Sequence, residues 1–295
     1  MKKSEILEIR DIIRRALEED IGEGDITSES TIPPEQILTG TFIAKAPGII
    51  AGLTVVSETF KLLDKKTIFS PKVCDGSNVL NGQIIAKVRG RGRALLGGER
   101  TALNFLQRMS GIATLTRSFV DAVRGTNAVI LDTRKTAPGL RLLDKQAVVF
   151  GGGGNHRFGL FDMVLIKDNH IAAAGGITEA VTQVWAADKK GRPLEIEVKN
   201  LNELREALSL KPDRIMLDNM DTETIRKAVA ITAGRATLEA SGNITLRNAA
   251  AVAQTGVDMI SIGALTHSVS ALDISFLLEE EVRIQKSEFR RQKKE

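Results

Sequence analysis

The sequence predicts an α/β protein with an N-terminal α/β sandwich domain and an incomplete (β/α) barrel of parallel strands. Three observations lead to this prediction. The chain has 295 residues, of which 42% are hydrophobic and 26% charged, and this is enough apolar material for two domains of ordinary size. Short apolar runs separated by turn residues occupy the region from 40 to 88. After residue 127 the pattern becomes a repeated strand-and-helix unit, which is typical of parallel α/β folds.

The first element is an amphipathic helix. It ends where glycines interrupt the helical period in the segment 21–25. The apolar runs from 40 to 88 lie between Asp-Gly and Asn-Gly turn pairs, which predicts a small mixed sheet. The apolar residues that define the helix lie at helical spacing and are Ile6, Ile9, Ile12, Ile13 and Leu17.

A helical stretch from Leu96 to Val123 connects this sheet to six short strands. The strand ends lie about 20 to 35 residues apart, the spacing expected for βα units with right-handed crossovers. Six units favour an incomplete barrel over a doubly wound sheet. The strands end at or near Leu131, Ile166, Glu197, Leu217, Glu239 and Ile262.

We place the domain boundary inside the connecting helix. Residues 1–112 form the N-terminal domain and residues 113–269 form the barrel. The apolar residues of the last segment, 270–295, also follow a helical period. We therefore predict one more amphipathic helix there, which packs back on the N-terminal domain.

Composition excludes several classes of protein. The single cysteine, Cys74, cannot form an intrachain disulfide or a thiolate zinc cluster. The charged start lacks the apolar core of a signal peptide, and no apolar run is long enough to cross a membrane, so we expect a cytoplasmic protein. The net charge of +4 comes largely from the tail 286–295, and the chain has no Tyr and one Trp. We therefore expect no nucleic-acid partner.

Five cationic residues lie at or near the ends of the first two barrel strands or beside a run of four glycines at 151–154. Residues just past such strand ends face the active site in parallel βα folds. Guanidinium groups replace the hydration of a carboxylate or phosphate with charge-assisted hydrogen bonds, and glycines let backbone N–H groups approach the anion. We therefore predict a pocket for a multiply charged anion, although each cation alone also fits a surface salt bridge. The five residues are Arg134, Lys135, His156, Arg157 and Lys167.

Two carboxylates follow at the next strand ends. Glu197 and Asp218 are candidate ligands for Mg²⁺, which usually takes one or two protein carboxylates and keeps several waters. The alternative is a buried ion-pair network with the neighbouring lysines, and the two roles are compatible. Glu195 and Glu239 lie on similar faces of their strands and are expected to pair with those lysines instead.

The last two strands end in small residues. Ser241 and Gly242 follow one strand, and Gly263 and Ala264 follow the other. Barrels commonly bind phosphate at this position, where the N–H groups of a helix N-terminus meet the anion. The sequence therefore predicts a phosphate site here, with plain turns as the alternative.

Eight segments together resemble the quinolinate phosphoribosyltransferases. They are GERTALNFLQRMSGIAT, DTRKTAPGLR, GGGGNHRFGLFD, LIKDNH, EIEV, MLDN, EASGNI and SIGALTHS. The resemblance extends over nearly the whole chain. It implies transfer of phosphoribosyl from 5-phosphoribosyl 1-pyrophosphate to quinolinate with decarboxylation, which gives nicotinate mononucleotide, pyrophosphate and CO₂ in NAD biosynthesis.

The resemblance also implies a role for each site residue. Catalysis falls to Lys135, Glu197 and Asp218, which face phosphoribosyl pyrophosphate and its Mg²⁺. The 5-phosphate site is formed by Ser241, Gly242, Gly263 and Ala264. A homodimer or dimer-based hexamer is implied, because one cation comes from the neighbouring subunit. The quinolinate carboxylates are held by Arg134, His156, Arg157, Lys167 and the neighbour's Arg100.

Three alternatives remain open from the sequence. One is a sibling in the same superfamily, such as a nicotinate phosphoribosyltransferase or a paralogue associated with molybdate uptake. Another is a sugar-phosphate aldolase in which Lys135 or Lys167 forms a Schiff base. The third is a nucleotide- or RNA-binding protein that uses the basic tail.

Overall fold

The structure is a computed structural model, and it describes residues 3–279. The helices in this range are α1 (Lys3–Ile21), α2 (Ile26–Thr31), α3 (Leu53–Leu63), α4 (Gly92–Ala122), α5 (Arg141–Phe150), α6 (Asp168–Ala174), α7 (Ile177–Ala187), α8 (Leu201–Ser209), α9 (Thr222–Thr232), α10 (Ala249–Ala253) and α11 (Ala264–His267). The strands are β1 (Ile37–Ala44), β2 (Gly48–Ile49), β3 (Ile68–Pro71), β4 (Asn78–Val79), β5 (Ile84–Arg91), β6 (Val129–Leu131), β7 (Val164–Ile166), β8 (Leu194–Val198), β9 (Arg214–Asp218), β10 (Thr237–Ser241), β11 (Met259–Ser261) and β12 (Ile274–Leu278).

The N-terminal part is a four-stranded sheet in the order β12-β1-β5-β3, covered by helices that include α3 and α4. Neighbouring strands are antiparallel, whereas we predicted a mixed sheet. Its core contains the rings of Phe42, Phe60 and Phe276, with the Phe42 and Phe276 centroids 4.8 Å apart. Gly40 makes room for this cluster, because a Cβ there would lie 2.0 Å from the Phe276 ring.

The prediction of a helix over 270–295 is wrong for the part that the structure describes. Residues Ile274–Leu278 form β12, which pairs with β1. Ile274 and Phe276 are buried in the sheet core, while Leu277 is exposed, as expected for a strand with alternating faces. A short apolar run fits both the helical period and the strand period. Here the pairing with β1 makes the segment a strand. The remainder of the predicted helix and the basic tail, 280–295, lie outside the described residues.

The second part is a six-stranded parallel sheet in the order β6-β11-β10-β9-β8-β7 within the described chain. Each strand lies at one of the six predicted apolar runs, so the predicted fold class is confirmed. Strands β6 and β7 are the two edges of this sheet. Each pairs with one neighbour, and they do not pair with each other, so the barrel is open between them. On the open side of β6, Leu131 forms a parallel bridge with Gly154. The loop before β7 therefore occupies the gap in the barrel.

Helix α4 connects the two parts without a break. Its first half contributes Leu95, Leu103 and Leu106 to the N-terminal core, and its second half contributes Ile112 and Phe119 to the barrel core. The boundary that we predicted at residue 112 falls inside this helix. Among the described residues, no helix has the length and apolar character needed to span a bilayer.

The glycines at 151–154 pack against α4 and β6 and do not line the cavity described below. A Cβ on Gly151 would lie 2.5 Å from the carbonyl oxygen of Ala113, and one on Gly153 would lie 2.8 Å from Thr116 Cγ2. Close packing therefore requires glycine at these positions. The expectation that this run brings backbone N–H groups to the anion is wrong.

We predict that Gly151→Ala lowers the free energy of unfolding by about 1–3 kcal/mol, because its methyl group has no room. Gly97→Ala in α4 is the matched control. Its Cβ would have its nearest neighbour 3.8 Å away, so alanine should stabilise the helix by roughly 0.5–1 kcal/mol. Urea unfolding measures both variants. Equal stability of the two variants would contradict the packing argument.

Candidate active site

A cavity of about 540 Å³ lies at the carboxyl ends of the barrel strands. It is lined by residues from the ends of all six strands and from the loops that follow them. All of the predicted site residues except Arg100 line it, namely Arg134, Lys135, His156, Arg157, Lys167, Glu197, Asp218, Ser241, Gly242, Gly263 and Ala264. Arg100 lies on α4, and its side chain is exposed.

One wall of the cavity is cationic. Arg134 follows β6, Arg157 lies in the loop that fills the barrel gap, and Lys167 follows β7. The Nε atoms of Arg134 and Arg157 are buried without a hydrogen-bond partner among the described residues. Burial and the nearby Arg134 cation lower the pKa of Arg157. Buried guanidinium donors that lack partners are costly, so this wall is built to receive an anion.

His156 lines this wall, but both of its ring nitrogens face protein atoms. The Arg157 backbone N–H donates to Nδ1 at 2.7 Å, so the ring proton lies on Nε2. That Nε2 is 3.0 Å from Glu195 Oε2 and 3.5 Å from Glu239 Oε1. Burial lowers the pKa of His156, which favours the neutral ring. Direct contact between His156 and a quinolinate carboxylate stays a prediction, and it requires the ring to turn.

Glu195 and Glu239 contact His156 and Arg214, so the expectation that they pair with lysines is wrong. Arg214 Nη1 donates to Glu239 Oε2 at 3.0 Å and lies 4.0 Å from Glu195 Oε2. Burial raises the pKa of each glutamate to about 7. Ligand atoms of His156, Glu195 and Glu239 lie within 4.8 Å of one another. Arg214 already supplies positive charge to this cluster, which disfavours a metal ion there.

The raised pKa of Glu239 predicts how stability depends on pH. Between about pH 4.5 and 7 the folded protein keeps a proton that the unfolded chain has released, so the free energy of unfolding falls as pH rises through this window. The decline stops above pH 7. Glu239→Gln cannot ionise and should show a smaller decline in urea unfolding at pH 5, 6, 7 and 8. A decline as steep as that of the unmodified protein would refute the assignment.

The same cavity carries the two predicted carboxylates. Lys167 Nζ donates to Glu197 Oε2 at 2.5 Å, so Glu197 forms part of the ion-pair network that we considered as an alternative. Asp218 has a different partner, because Asn219 Nδ2 donates to its Oδ2 at 2.9 Å. Both carboxylates line one cavity from adjacent strands. This set of oxygen donors fits Mg²⁺. In the described structure a lysine engages Glu197 and does not engage Asp218.

The small residues at the ends of β10 and β11 lie together at one end of the cavity. Gly242 has φ +92°, and a Cβ there would lie 2.1 Å from Asn219 Oδ1. Gly263 lies between Lys135 and His267, since a Cβ would lie 3.1 Å from a side-chain carbon of each. The absence of side chains at these two positions therefore keeps this end of the cavity open and lets the loops approach one another.

Sequence reasoning missed several polar residues that line the cavity, and three of them lie in its loops and in α11. Asn219 and Asn243 both have positive φ, at 55°, and Asn243 Nδ2 donates to Asn219 Oδ1 at 3.0 Å. They join the loop after β9 to the loop after β10. The third residue, His267, lies at the end of α11. The signal was present in the sequence, because Asn219 directly follows Asp218 and His267 lies within the segment SIGALTHS.

An open parallel barrel with a cationic cavity at its strand ends, joined to an antiparallel sheet, defines an α/β-barrel enzyme that acts on anionic substrates. The sequence matches the N-terminal domain of quinolinate phosphoribosyl transferase over residues 25–110. It matches the C-terminal domain of the same enzyme over residues 112–277. The chain therefore belongs to the quinolinate phosphoribosyltransferase family.

Individual relatives agree with this assignment. The chain is 48% identical to a nicotinate-nucleotide pyrophosphorylase (carboxylating) of Mycobacterium leprae over 273 residues, which cover 90% of this chain and 95% of the relative. A chloroplastic relative in Oryza sativa is 44% identical over 94% of this chain and 80% of its own length. The crystal structure of NadC from Streptococcus pyogenes superposes with a TM-score of 0.89 at 39% identity, covering 92% of this chain and 97% of that one.

Proposed function

We propose that this cavity transfers the phosphoribosyl group of 5-phosphoribosyl 1-pyrophosphate to quinolinate with loss of CO₂, forming nicotinate mononucleotide and pyrophosphate in NAD biosynthesis. One observation carries the proposal. Half-buried Arg134 and Arg157 line the cavity, and each has a buried Nε donor without a partner among the described residues. The same cavity also presents Lys135, Glu197 and Asp218. A dianionic acid and a phosphorylated sugar match these two sets of residues.

In this arrangement the cationic wall orients quinolinate. Arg134 and Arg157 hold its carboxylates, and the ring nitrogen faces the sugar carbon that bears pyrophosphate. Lys135 meets the negative charge that develops on departing pyrophosphate. Glu197 or Asp218 faces the positive charge that develops on the ribose ring. Holding both reactants in one cavity supplies much of the rate acceleration through proximity.

Decarboxylation follows from the chemistry of the product. Once the ring nitrogen has formed its bond to ribose it is cationic, and it stabilises the electron pair left on the adjacent carbon when CO₂ departs. A proton then takes the place of the carboxylate. The residues of the cationic wall orient the departing carboxylate and limit the access of water. No organic cofactor is required for this step.

We propose Mg²⁺ as the metal of this site, with Asp218 and Glu197 as its protein ligands. Bound Mg²⁺ would neutralise charge on the pyrophosphate of the sugar substrate. Lys167 must release Glu197 if that carboxylate is to bind the ion. Glu197 therefore links the residues proposed to bind quinolinate to the proposed metal ligands, because its carboxylate accepts a hydrogen bond from Lys167 of the cationic wall.

We further propose a homodimer or dimer-based hexamer in which Arg100 completes a partner's cavity. The support is that Arg100 is exposed and lies outside the cavity of its own subunit, while the remaining predicted site residues line that cavity. A cytoplasmic location is also part of the proposal. Plant relatives have chloroplastic or mitochondrial names, so location varies among similar proteins.

The test is incubation of the purified protein with quinolinate, 5-phosphoribosyl 1-pyrophosphate and Mg²⁺. We expect equimolar CO₂ and nicotinate mononucleotide, and loss of turnover when EDTA replaces Mg²⁺. Nicotinate in place of quinolinate is the matched control, because it lacks the second carboxylate. Faster turnover of nicotinate would favour the sibling activity. Covalent trapping of a substrate on Lys135 or Lys167 by borohydride would favour an aldolase.

A further inference from the structure

A buried ion pair lies beneath the cationic wall. Lys145 Nζ donates to Asp132 Oδ1 at 2.5 Å, and the side chains are 2% and 0% exposed. Burial raises the pKa of Asp132 and lowers that of Lys145. Neither residue lines the cavity. A buried pair of this kind is often no more stabilising than apolar side chains of the same volume, so stability alone does not account for it.

The pair holds the backbone of the cavity loop. The His156 N–H donates to Asp132 Oδ1 at 2.9 Å, and Lys145 Nζ donates to the His156 carbonyl at 3.0 Å. Both backbone polar groups of His156 are therefore bound to the pair. Asn155 adds a further link. Its side-chain amide is oriented so that Nδ2 faces acceptors, and Nδ2 then donates to Asp132 Oδ2 at 2.6 Å and to the Lys145 carbonyl at 3.0 Å.

The next residue along this loop is Arg157. Its own N–H donates to His156 Nδ1, and its Nη1 donates to the Met163 carbonyl at 3.1 Å. The position of its guanidinium therefore depends on a backbone that the buried pair fixes. Asp132 also lies two residues before Arg134, on the loop that carries the other guanidinium. The pair thus connects the two chain segments that must hold the two carboxylates of one substrate.

Resting on the proposed function, we propose that Asp132 and Lys145 are a positioning pair for quinolinate. They set the distance between Arg157 and Arg134, and this distance selects a pyridine that bears two adjacent carboxylates. Neither residue touches the substrate. Most residues assigned to 5-phosphoribosyl 1-pyrophosphate lie on β8 to β11 and the loops after them, whereas Lys135 shares the loop of Asp132. The pair should therefore affect binding of this substrate much less than binding of quinolinate.

The first test uses a double variant, Asp132→Asn with Lys145→Met. It removes both buried charges together, so that no uncompensated charge is left to unfold the barrel. We expect the KM for quinolinate to rise at least about tenfold, the loss expected from one misplaced charge-assisted hydrogen bond. The KM for 5-phosphoribosyl 1-pyrophosphate should stay within about twofold, because most of the residues that bind this substrate lie on other loops than the altered bonds.

The matched control is another ion pair far from the cavity. Arg10 Nε donates to Glu58 Oε2 at 2.7 Å, between α1 and α3 of the N-terminal part. The double variant Arg10→Met with Glu58→Gln should lower thermal stability and leave both KM values unchanged. If the control raises the quinolinate KM as much as the Asp132/Lys145 variant does, the effect is general destabilisation and the proposal fails.

A second measurement tests whether the pair acts through Arg157. Adding Arg157→Ala to the double variant should raise the quinolinate KM no further than Arg157→Ala alone, since residues that act as a unit are not additive. Multiplied effects would refute the proposal. The single variant Lys145→Arg keeps the charge and the N–H donors. Its quinolinate KM should lie within about threefold of the unmodified value.

The outcomes separate this inference from the proposed function. Absence of quinolinate turnover in the unmodified protein overturns the function itself. Normal turnover there, with an unchanged quinolinate KM in the folded double variant, overturns only the positioning role. If the double variant does not fold, Asp132→Asn with Lys145→Gln, which also removes both charges and keeps polar side chains, decides the question. An unchanged quinolinate KM in that folded variant would then refute the proposal.

Discussion

Replacing Arg134 by alanine is expected to raise the KM for quinolinate by about a hundredfold or more, because two hydrogen bonds to a charged group contribute roughly 1.5–3 kcal/mol each. Arg134 Nε is buried without a partner in the described structure, and a methyl group replaces none of its donors. The KM for 5-phosphoribosyl 1-pyrophosphate should change little. Steady-state kinetics with each substrate varied in turn measures both constants.

Two controls accompany this variant. Arg134→Lys keeps the charge and loses the planar pair of donors, so its quinolinate KM should lie between those of alanine and arginine. Arg124→Ala removes an exposed arginine that forms an ion pair with Asp121, far from the cavity, and should leave both KM values unchanged. A near-normal quinolinate affinity in Arg134→Ala would refute the role assigned to this residue.

Mixing two inactive variants is expected to restore activity. Arg100→Ala removes the cation that we assign to the neighbouring subunit's cavity, and Lys135→Ala disables the cavity of its own subunit. A hybrid dimer then contains one complete cavity, made from Lys135 of one subunit and Arg100 of the other. For random exchange at equal amounts, the mixture should recover about a quarter of the unmodified activity, since half of the dimers are hybrids with one of two sites intact.

Subunit exchange has to be verified separately for this experiment, by mass spectrometry of differently tagged subunits. A mixture in which both variants carry Lys135→Ala is the control and should stay inactive. No recovery despite verified exchange would exclude a shared cavity and leave Arg100 without a role in the partner. Full activity of Arg100→Ala alone would have the same consequence.

The barrel could be predicted from the sequence because each of its strands is a local pattern. A short apolar run followed by a polar residue and a helix is visible in one sequence, and the six runs correspond to β6 through β11. The strand β12 could not be predicted in this way. Its residues fit a helix equally well, and only the available edge of β1, which is more than 200 positions earlier in the chain, makes them a strand.

The positions of the site residues could be predicted because side chains just past the ends of parallel strands converge. All of the predicted residues except Arg100 line the cavity. The partners of those side chains depend on contacts between strands. The sequence predicts that Glu239 pairs with a lysine, whereas Arg214 from the adjacent strand donates a hydrogen bond to it. The run of glycines has the composition of an anion-binding loop, but the close approach of α4 explains it. His267 was missed because the prediction followed charged residues directly past the strand ends, and His267 lies at the end of the short helix α11.

The continuity of α4 determines how the gene can be divided. Dividing the chain after residue 111 would remove Phe105 and Met109 of α4 from the core that contains the barrel strands and leave each fragment with only part of this helix. It would also separate β1 from β12, its antiparallel partner near the other end of the chain. Neither fragment would keep a complete interior, so the protein should be expressed, purified and evolved as one folding unit.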